Sequence, residues 1–135
     1  MNGEPDLAPD PANAGPEVFD PTEAIARLAG DEELLRDVAG VLAEEWPRHC
    51  ELLDQGFAAG DTPEVAAEVA RVAHSLKGVV GQFSGAALTA AITQVERAAR
   101  AGDLAAAEAV WRAGIQAIES FVGAVARWAA AGEAG

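Results

Sequence analysis

Tyrosine is absent from this chain, cysteine and methionine occur once each, and a single lysine stands among its 9 basic residues. A lone Cys50 has no partner for an intrachain disulfide, which fits a reducing compartment and places the expectation on the cytoplasm. No apolar run approaches the ~20 residues needed to span a bilayer. The N-terminus has neither the basic region nor the apolar run of a secretion signal. Acidic residues outnumber basic ones 22 to 9, a net charge of −13, which argues against a nucleic acid or an anionic membrane as partner. No glycine-rich loop follows a strand pattern and no spaced Cys/His set exists, so neither a nucleotide site nor a metal site is expected.

What is present favours helices. Half of the residues are apolar, aromatics are only 5%, and much of the apolar share is alanine, the strongest helix former. Residues 1–19 are rich in proline, glycine, asparagine and acids and contain no lysine or arginine. They cannot bury enough surface to offset ordering and read as a disordered tail, with Val18 and Phe19 docking where the folded part begins. Asp20-Pro21-Thr22-Glu23 supplies an N-cap, a first-turn proline and an acid three residues on, the start of a short helix ended by Gly30. Asp31 caps a longer helix whose apolar positions run from Leu34 to Phe57, with Pro47 expected to kink it. Thr62 and Pro63 open a third helix. Ser84-Gly85 turns the chain into a fourth, with Leu88, Ile92, Val95 and Ala99 inward. Gly102 stops that helix, and Asp103 caps a last one carrying a stripe from Leu104 to Trp128. No segment reads as a strand. The expected fold is all-α: an antiparallel four-helix bundle over residues 20–131 with a short extra N-terminal helix, a frayed end at 132–135, and a monomeric state.

The third helix organises the rest. Val65, Val69, Val72, Leu76, Val79, Val80 and Phe83 follow the spacing of one buried stripe. At ~100° per residue, His74 lies about 175° from the centre of that stripe. Lys77 and Gly78 follow it in the next turn, and Ala70 and Arg71 precede it by one turn. Ala67 and Gly81 complete the same outer strip. A helix face this smooth is unusual, and each interior glycine costs ~1 kcal/mol relative to alanine. The pattern implies an exposed nucleophile, an adjacent cation and a flat surface that another protein approaches closely.

Ala73-His74-Ser75-Leu76-Lys77-Gly78, followed by Val79-Val80-Gly81-Gln82-Phe83, closely resembles the signature of histidine-containing phosphotransfer (HPt) domains. The resemblance extends from about Asp20 to Trp128, with the glycine that many members have at the position of Ser84 falling one residue later, at Gly85. It implies that His74 is the phosphorylated residue, that Lys77 stabilises charge on the phosphoryl group, and that Gly78 admits the partner. The docking strip would then be Ala67, Ala70, Arg71, Gly78 and Gly81, with Gln82 adding a hydrogen bond. The partners implied are receiver domains of response regulators, or a hybrid histidine kinase, in bacterial two-component phosphorelays. Mg²⁺ is expected on the receiver, with no cofactor held by this chain. The protein would be a phosphotransfer intermediate without kinase activity of its own.

The alternative from a different class is a helical module that docks receivers or other signalling proteins without carrying phosphate; an intact His74 and Lys77 favour the relay. A histidine-dependent hydrolase is disfavoured, because the sequence shows no supporting nucleophile or orienting carboxylate close to His74. His49 lies on the apolar stripe of the second helix and is expected to pack rather than react. Trp46, Trp111 and Trp128 read as core or rim residues.

Overall fold

The computed structural model describes residues 19–83 and 86–134. The tail expected over 1–18 and the turn expected at Ser84-Gly85 lie outside the described residues. The elements are α1 (Pro21–Arg27), α2 (Glu32–Ala58), α3 (Pro63–Gly81), α4 (Ala86–Arg100) and α5 (Leu104–Ala134), and no strand occurs among the described residues.

Caps set the helix starts. Asp20 Oδ1 accepts from the backbone N–H groups of Thr22 and Glu23, and Asp31 Oδ1 accepts from that of Leu34. Thr62 Oγ1 accepts from Val65 N–H, and Asp103 Oδ1 from Ala106 N–H. Each satisfies donors that the first turn of a helix leaves without an intrahelical partner. Gly102, with φ 81°, turns the chain between α4 and α5 in a backbone region that other residues rarely adopt. The helix opened by Asp31 runs to Ala58 with Pro47 inside it, ending before Gly60 as expected, and α5 runs to Ala134.

The four long helices form a closed ring in which α2 packs on α3, α3 on α4, α4 on α5 and α5 on α2, while α1 touches α2 alone to any extent. Leu35, Leu42 and Leu53 of α2, Val69, Val72, Leu76 and Val80 of α3, Leu88 and Ile92 of α4, and Trp111, Ile118 and Phe121 of α5 are all fully buried. Where α2 meets α3, Gly56 is buried and a Cβ added there would lie 2.6 Å from Val69 Cγ2, so glycine permits this close approach. At the end of the bundle where α3 finishes, Phe19 packs edge-on against Phe83, Phe121 and Trp128. His49 is buried and its Nδ1–H donates to the carbonyl of Glu45, 3.0 Å away and one turn back. It is a satisfied core histidine, as its place on the stripe indicates.

Candidate functional site

His74 stands on the outer side of α3 with 62% of its side chain exposed, beside α4. The stripe beneath explains this placement: Val72, Ala73 and Leu76 are buried while His74 and Ser75 are exposed. From α4 comes Glu96, whose side chain is only 7% exposed, and its carboxylate gathers donors from three side chains. Oε2 accepts from His74 Nδ1–H at 3.0 Å and from Arg100 Nε–H and Nη2–H at 3.0 and 2.7 Å. Oε1 accepts from Lys77 Nζ at 2.9 Å.

The electrostatics of Glu96 follow from this enclosure. Burial alone would push its carboxyl upward, but hydrogen bonds from Lys77, Arg100 and His74 outweigh that and hold it at about 2. At neutral pH the carboxylate is therefore an acceptor only, and the shared hydrogen on His74 belongs to Nδ1. In a neutral imidazole this leaves Nε2 unprotonated, with its lone pair directed away from Glu96.

The expectation that His74 lacks an orienting carboxylate is overturned by Glu96, 22 residues downstream on the neighbouring helix. One signal was visible. Glu96 falls within the inner face marked by Ile92, Val95 and Ala99, and a lone acid on a buried face requires donors to hold it. Arg100, one turn on, was also overlooked.

The outer strip divides into two parts. Ala67 and Arg71, with Ala66, Ala99 and Arg100, line a groove of about 660 Å³ that opens beside His74 towards the start of α3. Ala70 also lines it but is buried, 3% exposed, where the helical wheel put it on the outer strip; α4 packs along that side of α3. Arg71 is held by Glu68, with Nη2 2.5 Å from Oε2. Gly78, Gly81 and Gln82 lie towards the other end of the helix and do not line this groove. Among the described residues a Cβ at Gly78 would meet nothing within 4 Å, so none of them requires glycine there.

A family described as the Hpt domain matches residues 37–128, from the first half of α2 to Trp128 near the end of α5. The chain belongs to the Hpt domain family. This places the Hpt chain in histidine phosphotransfer within two-component signalling, a role in which Hpt domains work with receiver domains of response regulators or with kinases. No curated protein and no solved structure matches it. Among the described residues of this Hpt domain, no helix is long and apolar enough to cross a membrane, and no group of three His, Cys, Asp or Glu could hold a metal ion.

Proposed function

We propose that His74 accepts a phosphoryl group from the aspartyl phosphate of a receiver domain and returns it to the aspartate of another. The observation that carries this reading is the Nδ1–H bond to Glu96, which leaves an outward Nε2 as the nucleophile. The Nε2 lone pair forms the N–P bond while the P–O bond to the donor aspartate breaks and the carboxylate leaves with its electron pair. The Nδ1 proton stays on the ring throughout, so neither attack nor departure waits for a proton to move. The phosphorylated ring is then an imidazolium bonded to Glu96, and the leaving group in the return step is a neutral imidazole.

Lys77 and Arg100 are the cations available to the phosphoryl oxygens, and both stand on the buried carboxylate next to His74. The chain's own contribution is chiefly position: a nucleophile held at one angle, on a helix whose neighbouring surface lets a partner come within the ~3–3.5 Å of an in-line attack. Mg²⁺ and the acidic pocket belong, in this proposal, to the receiver, where the metal offsets charge on the transferring group. The groove beside His74 and the open surface at Gly78 are the proposed docking surface.

His74→Ala should abolish acid-labile, base-stable labelling by phosphorylated receivers while leaving helix content and melting nearly unchanged, since an exposed imidazole contributes little packing. His49→Ala should keep the label and lose stability by ~1–3 kcal/mol, because it empties a buried, hydrogen-bonded position. Label that persists on His74→Ala, or a wild-type protein that binds receivers without ever being labelled, would refute the proposal. The second outcome would favour a docking module instead.

A further inference from the structure

Three side chains converge on Glu96, and they carry more positive charge than the carboxylate can neutralise. With His74 neutral, one anion faces two cations, leaving a single positive surplus at the surface. Lys77 offers one ammonium hydrogen to Oε1 and has two more, with 29% of its side chain exposed. Arg100 spends Nε and Nη2 on Oε2, and its Nη1 makes no hydrogen bond among the described residues. Both cations are therefore held, yet neither is used up.

Resting on the reading that His74 takes the phosphoryl group, we infer that Glu96 acts as a counter-anion that keeps the phosphohistidine easy to pass on. When phosphorus is bonded to Nε2, the phosphoryl oxygens compete with Glu96 for Lys77 and Arg100, and these cations turn part of their donors towards the new dianion. The competition limits how tightly they grip. A phosphoryl group that arrives with the Nδ1 proton retained adds one net negative charge and uses up the single positive surplus. Without the charge on Glu96 the site would begin with two surplus cations, both directed at the phosphoryl group. The ring would also lose its anionic acceptor and give up the Nδ1 proton more readily, and a deprotonated imidazole is the poorer leaving group. Both effects act in the same direction: the group would be stored instead of relayed. Glu96 is thus a positioning residue for His74 and, through Lys77 and Arg100, a determinant of how long the phosphoryl group stays.

Glu96→Gln preserves shape and one acceptor oxygen, replaces the other by an NH₂ and removes the charge. After chemical phosphorylation with phosphoramidate and removal of the donor, ³¹P NMR should show the phosphohistidine of Glu96→Gln surviving about tenfold longer than that of the parent at pH 7. That is the order expected for one unit charge a few ångströms away at a half-exposed site. Adding Lys77→Met to Glu96→Gln should shorten the lifetime again, because the released cation is then missing. The exchange of partners has its own signature, since Lys77 is the sole lysine and a ¹⁵N-lysine sample gives one side-chain ammonium signal. That signal should move when the parent protein is phosphorylated. An unchanged or shorter lifetime in Glu96→Gln, with helix content intact, would overturn the inference, and so would a Lys77 signal that ignores phosphorylation. A parent protein that phosphoramidate labels elsewhere than His74 would instead refute the underlying reading and this inference with it.

Discussion

Lys77 and Arg100 come from different helices and end on the two oxygens of one carboxylate, at 2.9 and 2.7 Å. The carboxylate of Glu96 is buried, so it ties α3 to α4 at the level of the exposed imidazole. A single polar cluster thus fixes helix packing and imidazole orientation together, which makes the ionisation of Glu96 visible in stability as well as in chemistry.

The sign of that dependence follows from the direction of the shift. Glu96 titrates at about 2 in the fold against an ordinary value of 4.5, so its contribution is complete above ~4.5 and is lost as pH falls through about 2. Thermal melts of the parent and of Glu96→Gln should therefore differ by several degrees in Tm at neutral pH, with the parent more stable. The gap should narrow between about pH 4.5 and 2. Taking the difference removes the other carboxylates, which titrate in both proteins. A gap that stays constant over this range would show that Glu96 does not gain from its ionisation.

Two glycines should respond in opposite ways to alanine. At Gly56 the added methyl collides with Val69 Cγ2, and Val69 is itself buried and β-branched, so it has little freedom to yield. Overpacking of ~1–3 kcal/mol exceeds the ~1 kcal/mol gained in helix propensity, so the urea midpoint should fall. At Gly78 the added methyl meets nothing among the described residues, and the midpoint should rise by up to ~1 kcal/mol equivalent. Gly78→Gln should keep that stability yet transfer from a phosphorylated receiver about a hundredfold more slowly, the order of loss that a displacement of ~1 Å can cause. Labelling by phosphoramidate, which needs no flat surface, should be nearly unaffected. Unchanged rates with both donors would remove Gly78 from the docking surface.

Cys50 provides a control away from the site. Burial first, then the charges of Asp54 and Glu119, push its thiol up to about 11 from 9.0. At pH 8 the reactive thiolate is then about a hundredfold scarcer than in an unperturbed cysteine. Alkylation by iodoacetamide should be slower by about that factor in the folded protein than in urea. Its rate should still be rising at pH 10. Equal rates in the two states would contradict the environment described for Cys50.

Helix starts were legible because caps are local: Asp20, Asp31, Thr62 and Asp103 each sit next to the donors they satisfy. The division between His49 and His74 was legible for the same reason, since periodicity within one helix separates a buried face from an outer one. Ala70 and Glu96 escaped because their surroundings depend on where α4 crosses α3. A helical wheel treats the surface opposite its stripe as open, and α4 covers one edge of that surface. The acid that orients the nucleophile is distant in sequence and carries no spacing signature. What it did carry was incongruity, a charge among Ile92, Val95 and Ala99, and that is a signal only once burial is taken as certain.

Phe19 has a practical consequence for anyone building on this chain. Wedged among Phe83, Phe121 and Trp128, it clamps the entry of the backbone at the end of the bundle where α3 finishes. The groove beside His74 opens towards Thr62, at the other end of that 19-residue helix, a span of ~28 Å at 1.5 Å per residue. A dye, a surface tether or a fused reporter joined ahead of Phe19 is therefore held by an aromatic anchor at the end of α3 away from that groove, on the side of Gly81 and seven residues, ~10 Å, beyond His74. A small label there reports on a partner at close range, whereas a bulky fusion stands beside the surface at Gly78 and Gly81.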